Sequence, residues 1–243
     1  MALHFVVDAA RDAQPGDAVV LTGAEAHHAA AVRRVRAGEE ITVGDGRGVW
    51  LTGHCESATP REVLVRVDSR AEAPAPVPRV VLVQALAKGD RDELAVQAAT
   101  ELGADEIVPW QASRSVSRWD AKAEKGRARW STIVREAAKQ AHRSWIPDVG
   151  VLTTTEMLTS RVAEARSLVL EPTATTPLSQ LDLAGDERDI LLIVGPEGGI
   201  APDELSRLEG AGATLTRLGD SVLRTSTAGP AALALVNAAI GRW

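Results

Sequence analysis

Ile190-Leu191-Leu192-Ile193-Val194-Gly195-Pro196-Glu197-Gly198-Gly199-Ile200 is the stretch on which the reading of this chain turns. Five consecutive apolar residues read as a strand buried on both faces, the pattern of a parallel sheet. The run then breaks into a loop with Gly at three of five positions, which lets a ligand approach the backbone closely. Pro202, Asp203 and Glu204 suit the first turn of a helix, where Pro lacks nothing and acids meet the positive dipole end. A short strand, Leu215 to Leu218, then enters a second loop, Leu218-Gly219-Asp220-Ser221-Val222-Leu223-Arg224-Thr225-Ser226-Thr227-Ala228-Gly229. Loops after strand ends are where open α/β sheets bind small ligands. This stretch is therefore expected to build the active site.

The same alternation extends upstream. Val80 to Leu86 is a nearly continuous apolar strand, and Asp90-Arg91-Asp92-Glu93 can form a capping box. Leu94, Ala95, Ala98, Ala99 and Leu102 fall on one helical face, and Gly103 ends that helix. Glu106-Ile107-Val108-Pro109 and Ser167 to Leu170 read as further strands, the latter running into Glu171-Pro172. Lys122 to Ser144 is the clearest helix, with Trp130, Ile133, Val134, Ala137, Ala138 and Ala141 at helical spacing. Off that face, Glu136, Gln140 and Arg143 stack on one line. Thr227 to Ile240 is apolar nearly all round, as in a helix buried in a core or against a partner chain. Strands alternating with helices predict an α/β fold with a parallel sheet covered on both faces.

Residues 1–72 differ. Val19 to Leu21, Glu40 to Val43, Val49 to His54 and Val63 to Val67 are short β-branched runs separated by turns. Gly44-Asp45-Gly46-Arg47-Gly48 makes a hairpin loop, and Glu25 to Arg36 a short helix. This spacing suggests a small barrel. The alternating prolines of residues 73–78 read as a stiff linker, which leaves residues 79–243 as the second domain.

The 243 residues are 45% hydrophobic, ample for a core, and carry a net charge of −6. Cys55 is the only cysteine, so an intrachain disulfide and a cysteine-based zinc site are excluded and a reducing compartment is expected. The start lacks a basic region followed by a long apolar one, and the apolar run near the C-terminus is too short to span a bilayer. A cytoplasmic protein without membrane or metal is expected. Residues 111–150 hold nine Lys/Arg against four Asp/Glu, and residues 151–210 hold four against eleven. Such a basic zone is either a confined footprint for a polyanion or a solvated helix face.

The loops match neither a P-loop nor a dinucleotide fingerprint. Ser and Thr in the second loop can cap the helix while backbone groups face a ligand. His27-His28 lacks metal-ligand spacing, and no Gly-x-Ser-x-Gly elbow occurs. Trp119 and Trp145 flank the basic zone, as core residues or as platforms for unpaired bases.

The two loops, taken with His28, Val32, Arg34 and Gly38, with Lys88-Gly89-Asp90-Arg91, and with Glu136 to Arg143 followed by Pro147, resemble the RsmE family of ribosomal RNA methyltransferases in the SPOUT superfamily. The resemblance covers nearly the whole chain and rests on five motifs in order. It implies a PUA-like RNA-binding β-barrel, then a SPOUT-type parallel sheet whose C-terminal segment threads a trefoil knot. It also implies a homodimer, S-adenosyl-L-methionine as cofactor, and methylation of uridine N3 in 16S ribosomal RNA of the small ribosomal subunit. The cofactor loops then fall on Leu170, Glu171 and Pro172; on Gly195, Pro196, Glu197, Gly198, Gly199 and Ile200; and on Leu218, Gly219, Val222, Leu223, Thr225, Thr227 and Ala228.

Two positions depart from the family pattern: Ser221 stands where Arg is frequent, and Ser226 where Glu is frequent. Charge is thereby removed from the second loop. The charged work on uridine then passes to Arg143, with Glu136 and Gln140 positioning it, and next to Arg224; Glu197 is either a base or a brace for its loop. His28, Arg33, Arg34 and Arg36, with Arg118, would contact RNA. The competing expectation is a non-catalytic RNA-binding assembly factor with an inactive pocket.

Overall fold

A computed structural model of the chain describes residues 3–243. They form two compact units, residues 3–75 with Ala138–Ile146, and Pro76–Ala137 with Pro147–Trp243.

The first unit is a bent five-stranded sheet of β1 (Leu3–Val6), β2 (Ala18–Thr22), β3 (Glu40–Gly44), β4 (Val49–Ala58) and β5 (Glu62–Glu72), in the order β1-β3-β4-β5-β2. Only the β1–β3 pair is parallel. Register shifts at Thr52/Gly53 and Cys55/Ser57 bend β4 against β5, as bulges do. Alternation puts Leu51, Gly53 and Cys55 of β4 and Val63, Val65 and Val67 of β5 inside, around Phe5, Leu21 and Ile41. The helix expected over Glu25 to Arg36 is shorter: α1 (Gly23–His27) passes into one π-helical turn, His28–Val32, and ends before the arginines.

The segment 138–146, expected to belong with residues 79–243, packs instead with the first unit. Backbone bonds join Ile146 N–H to Gly46 O and Gly48 N–H to Ser144 O, both at 3.0 Å. The Trp145 indole N–H donates to Ala73 O at 3.0 Å, and a Cβ at Gly48 would come within 2.5 Å of Ala73 O and 3.0 Å of that indole nitrogen. Lys139 Nζ meets Glu25 Oε1 at 3.0 Å, both side chains buried. His4 stacks flat on Trp50 at 4.1 Å, with the His142 ring tilted beside them. Burial, then the neighbouring His142 and Lys139 charges, lowers the His4 pKa to about 4. Local spacing cannot reveal this allegiance, because every contact is long-range in sequence.

The second unit holds an all-parallel sheet: β6 (Val80–Ala85), β7 (Glu106–Trp110), β8 (Asp148–Val149), β9 (Arg166–Leu170), β10 (Ile190–Val194) and β11 (Thr214–Thr216), in the order β11-β9-β10-β6-β7-β8. Helices α2 (Arg91–Glu101) and α6 (Thr225–Ala239) cover one face; α4 (Thr155–Glu164) and α5 (Pro202–Gly210) cover the other. In register, Val194 faces Gln84 on one side and Leu170 on the other, and Leu170 faces Thr216. Four strands thus end at one level, which sets the loops after β9, β10 and β11 side by side.

Several local expectations shift. Asp90 makes no side-chain cap bond at α2; Asp92 does the bracing, accepting from Ala87 N–H at 3.1 Å. Leu94 is 51% exposed, because α2 turns Ala95, Val96 and Ala99 inward. α3 (Ala123–Gln140) stops four residues before Ser144, with His142 at φ 54° breaking the helical path. Trp130 is buried in contact with Trp119, whose ring fills the space beside Gly126. Both flanking tryptophans therefore serve packing. Much of the basic zone is also paired: Arg129 with Glu93, Arg127 with Glu124, and Arg118 with Asp120. No helix among the described residues is long and apolar enough to cross a membrane.

Candidate functional site

The strand ends and their loops enclose a cavity of about 390 Å³ in the second unit. One wall is Leu170, Glu171 and Pro172 after β9. The next is Val194, Gly195, Pro196, Glu197, Gly199 and Ile200 after β10. The third is Thr216 to Gly219, then Ser221 to Thr225 and Ala228. Of the residues expected from sequence around a cofactor, only Gly198 and Thr227 do not line it. Gly198 faces Arg114 instead, which donates from Nη1 to its carbonyl at 3.1 Å. Arg91, Val194, Thr216, Arg217 and Ser221 line the cavity without having been singled out for it.

The first loop owes its shape to two glycines. A Cβ at Gly195 would lie 2.6 Å from Ile200 Cγ1, and Gly199 sits at φ +72°, where only glycine is comfortable. Ile200 folds back over Gly195 and gives the cavity an apolar floor. Behind the loop, buried Glu204 accepts four hydrogen bonds. Ser113 N–H (3.0 Å) and Thr155 Oγ1 (2.5 Å) reach its Oε1; Ser113 Oγ (2.8 Å) and Ala201 N–H (3.3 Å) reach its Oε2. Burial alone would raise the Glu204 pKa, but these donors outweigh it and hold the carboxyl below the usual glutamate range.

Glu197 is a brace. Its Oε1 accepts from Lys88 N–H at 2.9 Å and Arg91 Nη1 at 3.0 Å, tying the Gly loop to the start of α2. Burial pushes its pKa up, but its own backbone N–H, Lys88 N–H and the Arg91 guanidinium push harder, and the net shift is downward. A carboxylate so held is a weaker base than a free one. Of the other charged candidates, Arg224 is exposed on the cavity wall. Glu136 is exposed on α3 in the second unit, whereas Gln140 and Arg143 belong to the segment that packs with the first. None of these three lines the cavity. Ser221 lines it, and Ser226 does not.

In the first unit, Arg33, Arg34 and Arg36 are all exposed just after the π-helical turn, with Arg34 at φ 57°. His28 is half-buried, edge-on to Phe5. Arg118, in the second unit, is exposed and pairs loosely with Asp120 at 3.7 Å.

Residues 73–237 match the family described as RNA methyltransferase domain, and residues 21–68 the family described as RNA methyltransferase PUA domain. The chain is 45% identical, over 100% of its length and 94% of the relative's, to ribosomal RNA small subunit methyltransferase E of Mycobacterium tuberculosis. It is 30% identical to the Bacillus subtilis protein of the same name, over 89% of this chain and 88% of that one. Among solved structures it resembles the Neisseria gonorrhoeae ribosomal RNA small subunit methyltransferase E bound to S-adenosyl methionine (TM-score 0.87, 26% identity, 99% and 98% of the two chains). It likewise resembles a Legionella pneumophila putative methyltransferase in complex with the same cofactor (TM-score 0.86, 29% identity, 98% and 97%).

Proposed function

The chain belongs to the ribosomal RNA small subunit methyltransferase E family, and from that premise we propose that it transfers a methyl group from S-adenosyl-L-methionine to N3 of a uridine in 16S ribosomal RNA. The observation that carries this reading is the cavity at the aligned ends of β9, β10 and β11. It fits the cofactor's chemistry. Leu170, Val194, Ile200, Leu218 and Val222 offer an apolar bed for an adenine. Backbone groups of the glycine loop can approach a ribose, and Arg91, Arg217 and Arg224 can meet a carboxylate. When bound, S-adenosyl-L-methionine supplies an electrophilic methyl on sulfonium. A formed cavity of this kind argues against the inactive-pocket alternative.

Uridine N3 is a weak acid between two carbonyls, so its proton must leave and the resulting charge on O2 or O4 must be offset. Arg143 is the cation for that task, and Arg224 the second candidate. Glu136 and Gln140, on the last turns of α3 just before Arg143, position it. Glu197 keeps to its bracing role. The acting species is a homodimer in the cytoplasm, in which the 138–146 segment of one chain serves the cavity of the other. Exposed Val222, Leu223 and Leu235 support a covering partner. The C-terminal threading implied by the resemblance belongs to the same reading.

The PUA-like unit holds the RNA, with His28, Arg33, Arg34 and Arg36 at its backbone and Arg118 adding a contact from the second unit. Phosphate contacts position RNA without reading sequence. Arg34→Gly should therefore weaken RNA binding and flatten the log K against log salt slope by about 0.7–0.9. Glycine is chosen because alanine would be strained at φ 57°. A slope equal to that of the wild type would remove Arg34 from the phosphate set.

Reverse transcription across 16S ribosomal RNA from a strain lacking the gene tests the reaction, since N3 methylation blocks the Watson–Crick edge. One strong stop should vanish and return on complementation. An unchanged stop pattern would sink the uridine N3 assignment.

A further inference from the structure

β6 is apolar at every position but one. Val80, Val81, Leu82, Val83 and Ala85 are buried, and Gln84 is buried among them with 0% exposure. Its Nε2 donates to Thr225 Oγ1 at 2.9 Å and to Ala85 O at 3.1 Å. Thr225 Oγ1 in turn lies 2.9 Å from Gly195 O. The direction of this chain is forced. Gly195 O and Ala85 O can only accept, and the threonine hydroxyl has a single proton. That proton serves Gly195 only if Gln84 presents its NH₂ to Thr225. The cost is visible, because Gln84 Oε1 is left buried without a partner. An apolar side chain of similar size would fill the site without an orphaned carbonyl, so packing alone does not account for a carboxamide here.

Gly195 and Thr225 both line the cavity, on different walls, whereas Gln84 stands behind them and does not. Val194, the residue before Gly195, is the register partner of Gln84. We infer that Gln84 is a positioning residue of the methyl-donor site: by aiming the Thr225 hydroxyl at Gly195 O, it fixes the glycine loop against the start of α6. The inference rests on reading the cavity as the S-adenosyl-L-methionine site.

Calorimetry with S-adenosyl-L-methionine, paired with thermal unfolding, tests it. Gln84→Met should weaken affinity about tenfold, equivalent to about 1.4 kcal/mol, while Tm stays level or rises. Gln84→Met combined with Thr225→Val should bind no worse than the weaker single variant, because both break one chain. Gln84→Glu can donate to Thr225 only when protonated. Its affinity should therefore recover as pH falls from about 9 to about 6, the range reached by buried glutamates, whereas the wild type stays flat. Gln84→Met affinity within twofold of wild type would overturn the inference, as would full additivity with Thr225→Val or a loss that follows a fall in Tm. Failure of the wild type to bind at all would overturn the reading of the cavity itself.

Discussion

Glu204→Ala should lower stability by about 3 kcal/mol, because it removes the acceptor of two buried and two part-buried hydrogen bonds, and a buried donor left stranded costs roughly 1–3 kcal/mol. Ser113 N–H and Ala201 N–H lose their acceptor, and the Ser113 and Thr155 hydroxyls must turn elsewhere. Thr155 Oγ1 also accepts from the Trp110 indole N–H at 3.2 Å, so the loss extends to the end of β7. For a chain of this length the fall in Tm is roughly 6–12 °C. Glu204→Gln separates charge from shape. With its carbonyl at the Oε1 position it still serves Ser113 N–H and Thr155. Its NH₂ can donate to Ser113 Oγ, and only the long Ala201 bond is lost. A cost of about 1 kcal/mol is expected. Denaturant unfolding of the three proteins would measure both, and equal stability of Glu204→Ala and wild type would refute the network's role.

The same carboxylate makes stability depend on pH. Its folded-state pKa lies below the unfolded value. Its contribution is therefore fully present above about 4.3, the unfolded glutamate value, and disappears as pH falls through the folded value. The gap between wild type and Glu204→Gln should narrow in acid accordingly.

Glu204 also marks where sequence reading stops. Pro202-Asp203-Glu204 announces a helix start, and α5 begins there with Pro202 at its first position. Nothing local tells that the third residue also anchors Ser113 and Thr155, 91 and 49 residues away. The strands were legible because continuous apolar runs have no other use in a parallel sheet: Ile190–Val194 matches to the residue. The adjacency of the three cavity loops was not, since it depends on strand order, which periodicity does not encode; only chain-wide resemblance placed them together. β8 is two residues long and leaves no periodic trace. α4 did leave a signal, Thr154 as cap with Leu158 and Val162 at i, i+4 spacing, and the structure has the cap bond from Met157 N–H at 3.3 Å. Gln84 was equally visible as the one polar residue in an apolar strand, a conflict between local and global preference of the sort that gathers at functional sites.

Arg143→Ala should lower turnover on the order of 10²–10³-fold, the usual effect of removing one group that stabilises developing charge. S-adenosyl-L-methionine affinity should stay within about twofold, because Arg143 is absent from the cavity wall. The backbone supports a specific placement. Its N–H bonds Ala138 O at 2.9 Å across the end of α3, immediately after His142 in the left-handed region. Lys139, buried on Glu25, anchors the same segment. Arg143 thus sits on a backbone-tied segment, and a melting temperature for the alanine variant within a few degrees of wild type is the control for its kinetics. Arg143→Lys keeps the charge and loses the planar fork, so partial recovery is expected if a single point charge offsets the uridine anion, and none if two oxygens are held at once. Arg224 supplies the contrast. It stands on the cavity wall, and Arg224→Ala should lose cofactor affinity along with turnover. Single-turnover kinetics on 16S ribosomal RNA, read beside cofactor calorimetry, separates the two arginines. Turnover within threefold of wild type for Arg143→Ala would transfer the anion-stabilising role to Arg224 on the cavity wall.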